Sequence, residues 1–284
     1  MTLKHILGVD HVVVTVRELD AAALAWKGLG FTVSPRGTHS PQMGSGNHTI
    51  MFGEDYLELL GIVAPTPHNA PMREWLETRE GLERTAFTTD DAAAGVAEVQ
   101  ARGQAATGPI AFGRPVPMPD GSMSEARFEV FHWPSTLRTA GMRIFACQHL
   151  TRETVWISEL QAHANGATGI LRVEALAKDP GAAAEQMAGL IESTVARAPD
   201  GAYAVPTGAG RADLVFLDRA QLAARHEGVP LDGLPEEGAA ALVLKTHSLS
   251  HAARALGTAP GATVAVPATR ATGVLLRFVP EEQD

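Results

Sequence analysis

The chain has 284 residues, 45% of them hydrophobic and 19% charged, and a net charge of −9 at pH 7. That length and balance allow one large or two ordinary cores and exclude wholesale disorder. An acidic surplus without any basic run excludes nucleic acid and anionic membrane surfaces as partners.

A single cysteine, Cys147, leaves no intramolecular disulfide and no Cys-based zinc knuckle. No window approaches the ~20 apolar residues of a bilayer span. The N-terminus lacks the pattern of a signal peptide, so the cytoplasm is the expected compartment. Abundant alanine and glycine beside scarce lysine read as the mark of a GC-rich bacterial genome.

The first predicted unit begins at "VDHVVVTVRELDAAALAWKGLGFTV": a strand, an acidic helix start, an Ala-rich helix, a glycine stop and an extended run. The strand-like runs "FTVSPRG", "NHTIMFG" and "DYLELLGIV" follow. Residues 64–80 read as a connection. The pattern returns over 82–105, with "SEARFEVFHW" and "MRIFACQHL" as its likeliest later strands. Residues 151–169 read as a second connection, and "HANG" within it is a turn signal. A third copy spans 170–191, where Pro180 suits a first helical turn. A fourth spans 239–257. Gly30, Gly103 and Gly257 are placed to stop three of the helices. The expected class is α+β: a βαβββ unit used about four times, in two tandem domains over 1–155 and 165–284.

Glu58 stands out because it sits mid-strand between Leu57 and Leu59. Burying an unpaired carboxylate costs several kcal/mol, roughly, so the position calls for a metal, an arginine or a wet cavity. By alternation Tyr56 shares its face. Asn47 and His48 start the preceding strand and point to opposite faces, so one of them reaches the same space. His39 lies in a Gly/Ser/Pro-rich loop placed to close over a ligand. Aligning the four copies on their helix-start acid sets His11 opposite Arg84, Arg172 and Ala241. Arg84 then either pairs with Glu58 or clamps an anionic substrate. His132, and the stretch from His149 through Trp156 to His163 and Asn165, are secondary candidates for the mouth of the site. Cys147 reads as a small buried hydrophobe, and "PTGAGRAD" as a hairpin turn rather than a nucleotide fingerprint.

Residues 10–62, with their strand-borne His, "LGFTV", the spaced His39, Gly44 and Asn47, and "YLELLGI", resemble the vicinal oxygen chelate superfamily and its glyoxalase-like proteins. The resemblance implies paired βαβββ modules curled into cup-shaped mixed sheets, with a divalent metal (Zn, Fe, Mn, Ni or Co) at the bottom. It makes His11 and Glu58 ligands, with Glu58 doubling as the catalytic base. Alternation along "MRIFACQHL" adds His149 as third ligand, with Gln148 or Cys147 behind it. Arg84, Asn47, His48, His39 and Tyr56 become substrate-binding candidates. The implied function is a metal-dependent lyase, isomerase or dioxygenase acting on a small oxygenated metabolite, with a homodimer allowed. The alternative is a metal-free cup that sequesters a small molecule, in the manner of bleomycin-resistance proteins.

Overall fold

The structure is a computed structural model and describes residues 3–259 and 263–281. Its first half contains β1 (Val9–Val16), α1 (Leu19–Gly28), β2 (Gly37–Thr38), β3 (Ser45–Met51), β4 (Tyr56–Ile62), α2 (Ala70–Thr78), β5 (Gly81–Thr88), α3 (Ala92–Ala101), β6 (Thr107–Pro117), β7 (Met123–His132) and β8 (Arg143–His149). Two single 3-10 turns and a short strap follow. The second half contains β9 (Ala167–Leu176), α4 (Pro180–Ile191), β10 (Ala196–Arg197), β11 (Tyr203–Val205), β12 (Asp213–Leu217), α5 (Arg219–Arg225), β13 (Gly238–Thr246), α6 (Leu249–Leu256), β14 (Ala265–Val266) and β15 (Leu275–Pro280).

The strands form two curved mixed sheets. One has eight strands in the order β2-β3-β4-β1-β5-β8-β7-β6, the other seven in the order β10-β11-β12-β9-β13-β15-β14. In each sheet the first strands of two modules lie side by side and antiparallel, β1 with β5 and β9 with β13. Each of these is flanked on its other edge by its own module's last strand, running parallel. That is the βαβββ cup expected from the repeat.

Local chemistry explains the helix ends. Asp91, Asp179 and Ser248 cap α3, α4 and α6 by accepting a backbone N–H three residues on. Gly30, Gly103 and Gly257 follow or cap their helices with φ between 68° and 83°, where a Cβ would be strained. Three elements were not anticipated. The "connection" 64–80 contains α2, a helix whose Met72 and Leu76 are buried. Residues 219–225 form α5 behind a capping box of Asp218 and Gln221. Residues 107–117 form β6 despite three prolines, which an edge strand tolerates. The run "FTVSPRG" is extended but pairs only at Gly37–Thr38.

The main core is continuous between the sheets. It joins Val12, Val14, Trp26 and Leu57 of the first half with Val173, Met187, Leu242 and Leu276 of the second. Trp26 Nε1 donates to Thr272 Oγ1 at 3.0 Å, so the helix α1 is tied to the far half. Among the described residues, no helix is long and apolar enough to cross a membrane.

Candidate functional site

The concave face of the first sheet encloses a cavity of about 680 Å³. Its walls come from both modules: His11, Asn47, Tyr56 and Glu58 on one side, Arg84, Arg114, Arg143 and Phe145 on the other. The two edge strands β2 and β6 approach each other and nearly close the cup.

Two β-bulges shape its floor. Val9 pairs with Phe87 and His11 with Ala86, which leaves Asp10 as the extra residue in β1. Val13 pairs with Arg84 and Val14 with Leu82, which leaves Glu83 as the extra residue in β5. A bulge breaks strict alternation and re-aims side chains. Each extra residue here is a fully buried carboxylate that grips its own neighbour. Asp10 Oδ1 accepts from His11 Nδ1 at 2.6 Å and Glu83 Oε2 accepts from Arg84 Nε at 2.5 Å. Each also takes a group from β8: His149 Nε2 reaches Asp10 Oδ1 at 2.9 Å, and Arg143 Nε reaches Glu83 Oε1 at 2.5 Å. Thr88 Oγ1 donates to the other oxygen of Asp10.

The electrostatics follow from these contacts. Burial alone would raise the pKa of Asp10, but His149 and His11 together hold it far below the usual carboxylate range. Burial is likewise the largest influence on Glu83, outweighed by Arg84 and Arg143, which keep it ionised. With Nδ1 occupied by Asp10, His11 turns Nε2 toward Glu58, 3.9 Å from its Oε2. Glu58 Oε1 accepts from Asn47 Nδ2 at 2.6 Å. Burial would raise Glu58, yet His11, His39, Asn47 and Arg84 leave it below its ordinary value, so it is a carboxylate at neutral pH. Tyr56 stacks on the His11 ring with centroids 4.3 Å apart, and burial pushes its hydroxyl well up. His132 is pushed down to about 4 by burial and by Arg84 and Arg143, so it stands in the wall uncharged.

The expected site residues divide clearly. His11, His39, Asn47, Tyr56, Glu58 and Arg84 all line the cavity, as does His132. Of the pair Asn47 and His48, Asn47 faces inward; His48 is turned the other way, its Nδ1 on the Ser34 carbonyl. Arg84 does not pair with Glu58, because its bulge neighbour Glu83 already binds it. His163 is bonded to Thr32 N and the Met51 carbonyl, and Asn165 to the Leu29 carbonyl and Ala167 N, so both fasten the strap between sheets. Trp156 packs on His149 and under Arg152, outside the cavity. Sequence reading passed over Arg114 because β6 was not foreseen, and Arg143 because β8 was read only for ligands. The acid directly before each floor residue, Asp10-His11 and Glu83-Arg84, was the available signal.

Strand register decides how far a metal fits. His11 lies beside Tyr56 as Arg84 lies beside Arg143, and Glu58 lies beside Val13 as Phe145 lies beside Ala86. The four positions that converge at the cup floor are therefore His11, Glu58, Arg84 and Phe145. A guanidinium and a phenyl ring donate no electron pair to a metal, so this set does not fit a four-ligand centre. His149 lies four residues beyond Phe145 and joins Asp10 instead of Glu58. A second grouping is able to hold a metal ion: donor atoms of Asp10, Cys147 and His149 lie within 4.8 Å of one another. Burial pushes the Cys147 thiol well up, toward the protonated form.

A profile of the glyoxalase-like domain matches residues 9–191, well over half of the sequence. The chain belongs to the glyoxalase-like domain family. It is thereby a member of the vicinal oxygen chelate superfamily. Among solved structures, this glyoxalase-like chain is similar to a hypothetical protein from Staphylococcus aureus, with 12% identity, TM-score 0.71, and 96% of this chain and 99% of that one covered. It is also similar to a mutant of 4-hydroxymandelate synthase from Streptomyces coelicolor, with 14% identity, TM-score 0.54, and 98% and 93% covered. A xylose isomerase-like TIM barrel/4-hydroxyphenylpyruvate dioxygenase fusion protein aligns at 14% identity and TM-score 0.53, over 90% of this chain and 39% of that one. At these identities the likeness is one of fold. No curated protein matches the sequence.

Proposed function

We propose that this glyoxalase-like protein is an enzyme that moves a proton at carbon in a small, oxygenated, carboxylate-bearing metabolite, as an isomerase or lyase. The supporting observation is Glu58: a carboxylate kept ionised in a cavity wall, with one oxygen on Asn47 and the other facing His11. A positioned carboxylate of this kind removes a proton from a carbon beside a carbonyl or carboxylate group. His11, fixed by Asp10, is placed to hand a proton back or to stabilise the developing oxyanion. Arg84 and Arg143, braced by Glu83, present a cationic wall to the substrate. His39 and Tyr56 bound the reacting space. Only His11 and Glu58 of the four floor positions are metal donors, so the proton transfer rests on these side chains themselves.

The test is solvent deuterium exchange, followed by NMR, across a panel of small 2-oxo and 2-hydroxy acids. Wild type is expected to exchange the C3 proton of at least one 2-oxo acid or the C2 proton of at least one 2-hydroxy acid. Glu58→Gln should slow that exchange by about 10²–10⁴-fold. A panel member that binds in the cup without exchange, in both proteins, replaces the enzyme reading with simple sequestration. Elemental analysis of the same preparations addresses the metal. Less than one equivalent is expected at His11–Glu58. Metal that persists in His11→Ala but is lost in Cys147→Ser and His149→Ala belongs to the Asp10–Cys147–His149 grouping.

A further inference from the structure

Two guanidiniums converge on one buried acid in the cavity floor. Arg84 and Arg143 are register partners on the adjacent strands β5 and β8, and the bulge residue Glu83, 1% exposed, binds both. Arg84 gives only Nε to Glu83 Oε2, at 2.5 Å, and Arg143 gives Nε and Nη2 to Oε1, each at 2.5 Å. Among the described residues these are all the hydrogen bonds and ion pairs that the two side chains make. Arg84 therefore keeps both Nη groups, and Arg143 keeps Nη1, for another acceptor. Arg79 Nη1 is sealed from solvent without a partner, but none of these three nitrogens is. They keep accessible surface, and both residues line the cavity.

Charge at this point is not balanced from within. Two guanidiniums against one carboxylate leave one positive charge, and burial, then the neighbouring Arg84, lower the pKa of Arg143. His132 adds no charge, since burial and the same two arginines push it down to about 4. His68 and Arg138, whose fields also reach His132 and Arg143, are exposed and screened by water and salt. The other carboxylate of the floor is held apart. Val13 pairs with Glu58 on one side of β1 and with Arg84 on the other, so the two backbones lie two strand spacings, ~10 Å, from each other. The surface between them is apolar: Val13, Leu60 and Met72 form one cluster, with Phe145 packed on it.

The geometry points to an amphipathic monocarboxylic acid as the ligand, its carboxylate across the Arg84 and Arg143 forks and its apolar body over Val13, Leu60 and Phe145 toward Glu58. A carboxylate has the two planar oxygens that guanidinium N–H groups take best. Its single charge cancels the one that Glu83 leaves over. A phosphate dianion overshoots that balance, and a second carboxylate at the far end meets Glu58. This inference deepens the proton-transfer reading and rests on it for its purpose, because it sets which end of the substrate faces the base. The anion recognition itself needs no turnover.

Titration with 3-phenylpropionate, its amide, propionate and phenyl phosphate, followed by ligand-observed NMR, tests it. Wild type should bind phenylpropionate roughly 10-fold tighter, or more, than each of the other three. Arg84→Met and Arg143→Met should each weaken phenylpropionate by roughly 10- to 100-fold, the span of a charged hydrogen-bonded contact, and leave the amide within about two-fold. Arg84→Lys, which keeps the charge without the fork, should recover part of the loss. The amide is the readout that separates recognition from support: a variant that loses acid and amide alike makes its arginine structural and overturns the inference. No binding of phenylpropionate to wild type at millimolar concentration overturns it too, as does amide or phenyl phosphate binding as tightly as the acid. Propionate binding as tightly as phenylpropionate overturns the apolar body, and a loss confined to Arg114→Met moves the anion elsewhere and overturns the site. Titrating Glu58→Gln separates this inference from the reading it rests on. Binding kept there, with no acid exchanging deuterium on wild type, sinks only the proton transfer. Exchange on wild type that Arg84→Met and Arg143→Met leave unchanged sinks only the anion site.

Discussion

The first sheet encloses a cavity, while the second, built on the same strand order, is filled. At the position of His11 the second sheet carries Arg172, and two residues on is Glu174, which is wholly buried. Glu174 accepts from Arg172 Nε at 2.7 Å, Arg225 Nη1 at 3.0 Å and His226 Nε2 at 2.6 Å. Arg225 and His226 belong to the end of α5, whose Leu222 packs with Leu176, Val215, Ala241 and Leu275 on the same concave face. The segment that follows β12 therefore plugs its own cup. In the first sheet α2 follows β4 at the equivalent point and packs Met72 and Leu76 on Val13 and Leu60, yet leaves a cavity that Met72 lines. Both cups hold buried charge. In the second Glu174 gathers its cations around itself, and in the first Arg114 lines an open cavity.

The sharpest way to break that comparison is to remove the central acid of each cup. Glu174→Ala removes the acid shared by Arg172, Arg225 and the fully buried His226, of which only Arg225 keeps another acid, Asp200, and should cost about 3–5 kcal/mol in urea unfolding. Glu58→Gln, in a cavity open to water, should cost less than about 1 kcal/mol. Equal losses would mean that the first cup is as closed as the second. Next in size is Asp10→Ala, which leaves His11, His149 and Thr88 without their shared acceptor. It should cost about 1–3 kcal/mol and weaken the ligand-binding face as well, whereas Thr88→Val should remove only the smaller, neutral contact.

A subtler effect lies between the sheets. Asp55, in the β3–β4 turn, accepts from Ile170 N at 3.1 Å, and burial pushes its pKa up to about 7, against the pull of that bond, Lys245 and Arg211. A carboxyl raised in the folded state holds its proton more tightly there than in the unfolded chain. Stability should therefore fall as pH rises from about 4 toward 7 and level off above it. Asp55→Asn should melt higher than wild type at pH 8, by something on the order of 1 kcal/mol, and match it at pH 4. A difference that is independent of pH would mean that Asp55 is already ionised in the fold. Of similar size is Gly37→Ala, roughly 1 kcal/mol of crowding at the cup seam, where an added Cβ would collide with Asn47 Oδ1, read as a small fall in melting temperature.

Much of this was legible in the chain itself. The repeated strand–acid–helix pattern revealed the modules because capping chemistry and hydrophobic period are local properties. Glu58 was legible because the residues that share its strand face, Tyr56 and Leu60, are apolar, so a carboxylate among them calls for a cavity or a partner. His48 could not be separated from Asn47 by pattern, since parity gives two faces but not which one is concave. Arg114 was hidden because a strand holding Pro109, Pro115 and Pro117 reads as a loop until an edge position is known. The Asp10 and Glu83 bulges were invisible to a strict two-residue period, yet they decide what His11 and Arg84 can do.

By itself, then, the sequence determined the βαβββ repeat, the strand of each module that reaches the floor, and the presence of His11, Glu58 and Arg84 on it. Only the tertiary structure decided their partners. Strand register set Phe145 at the position in the second module that Glu58 holds in the first, a bulge gave Arg84 to Glu83, and curvature brought Arg114 from the last edge to Gly37 at the first. The floor also holds a bond between residues 139 positions apart, from His149 to Asp10. Register and sheet closure, not local propensity, select such pairs.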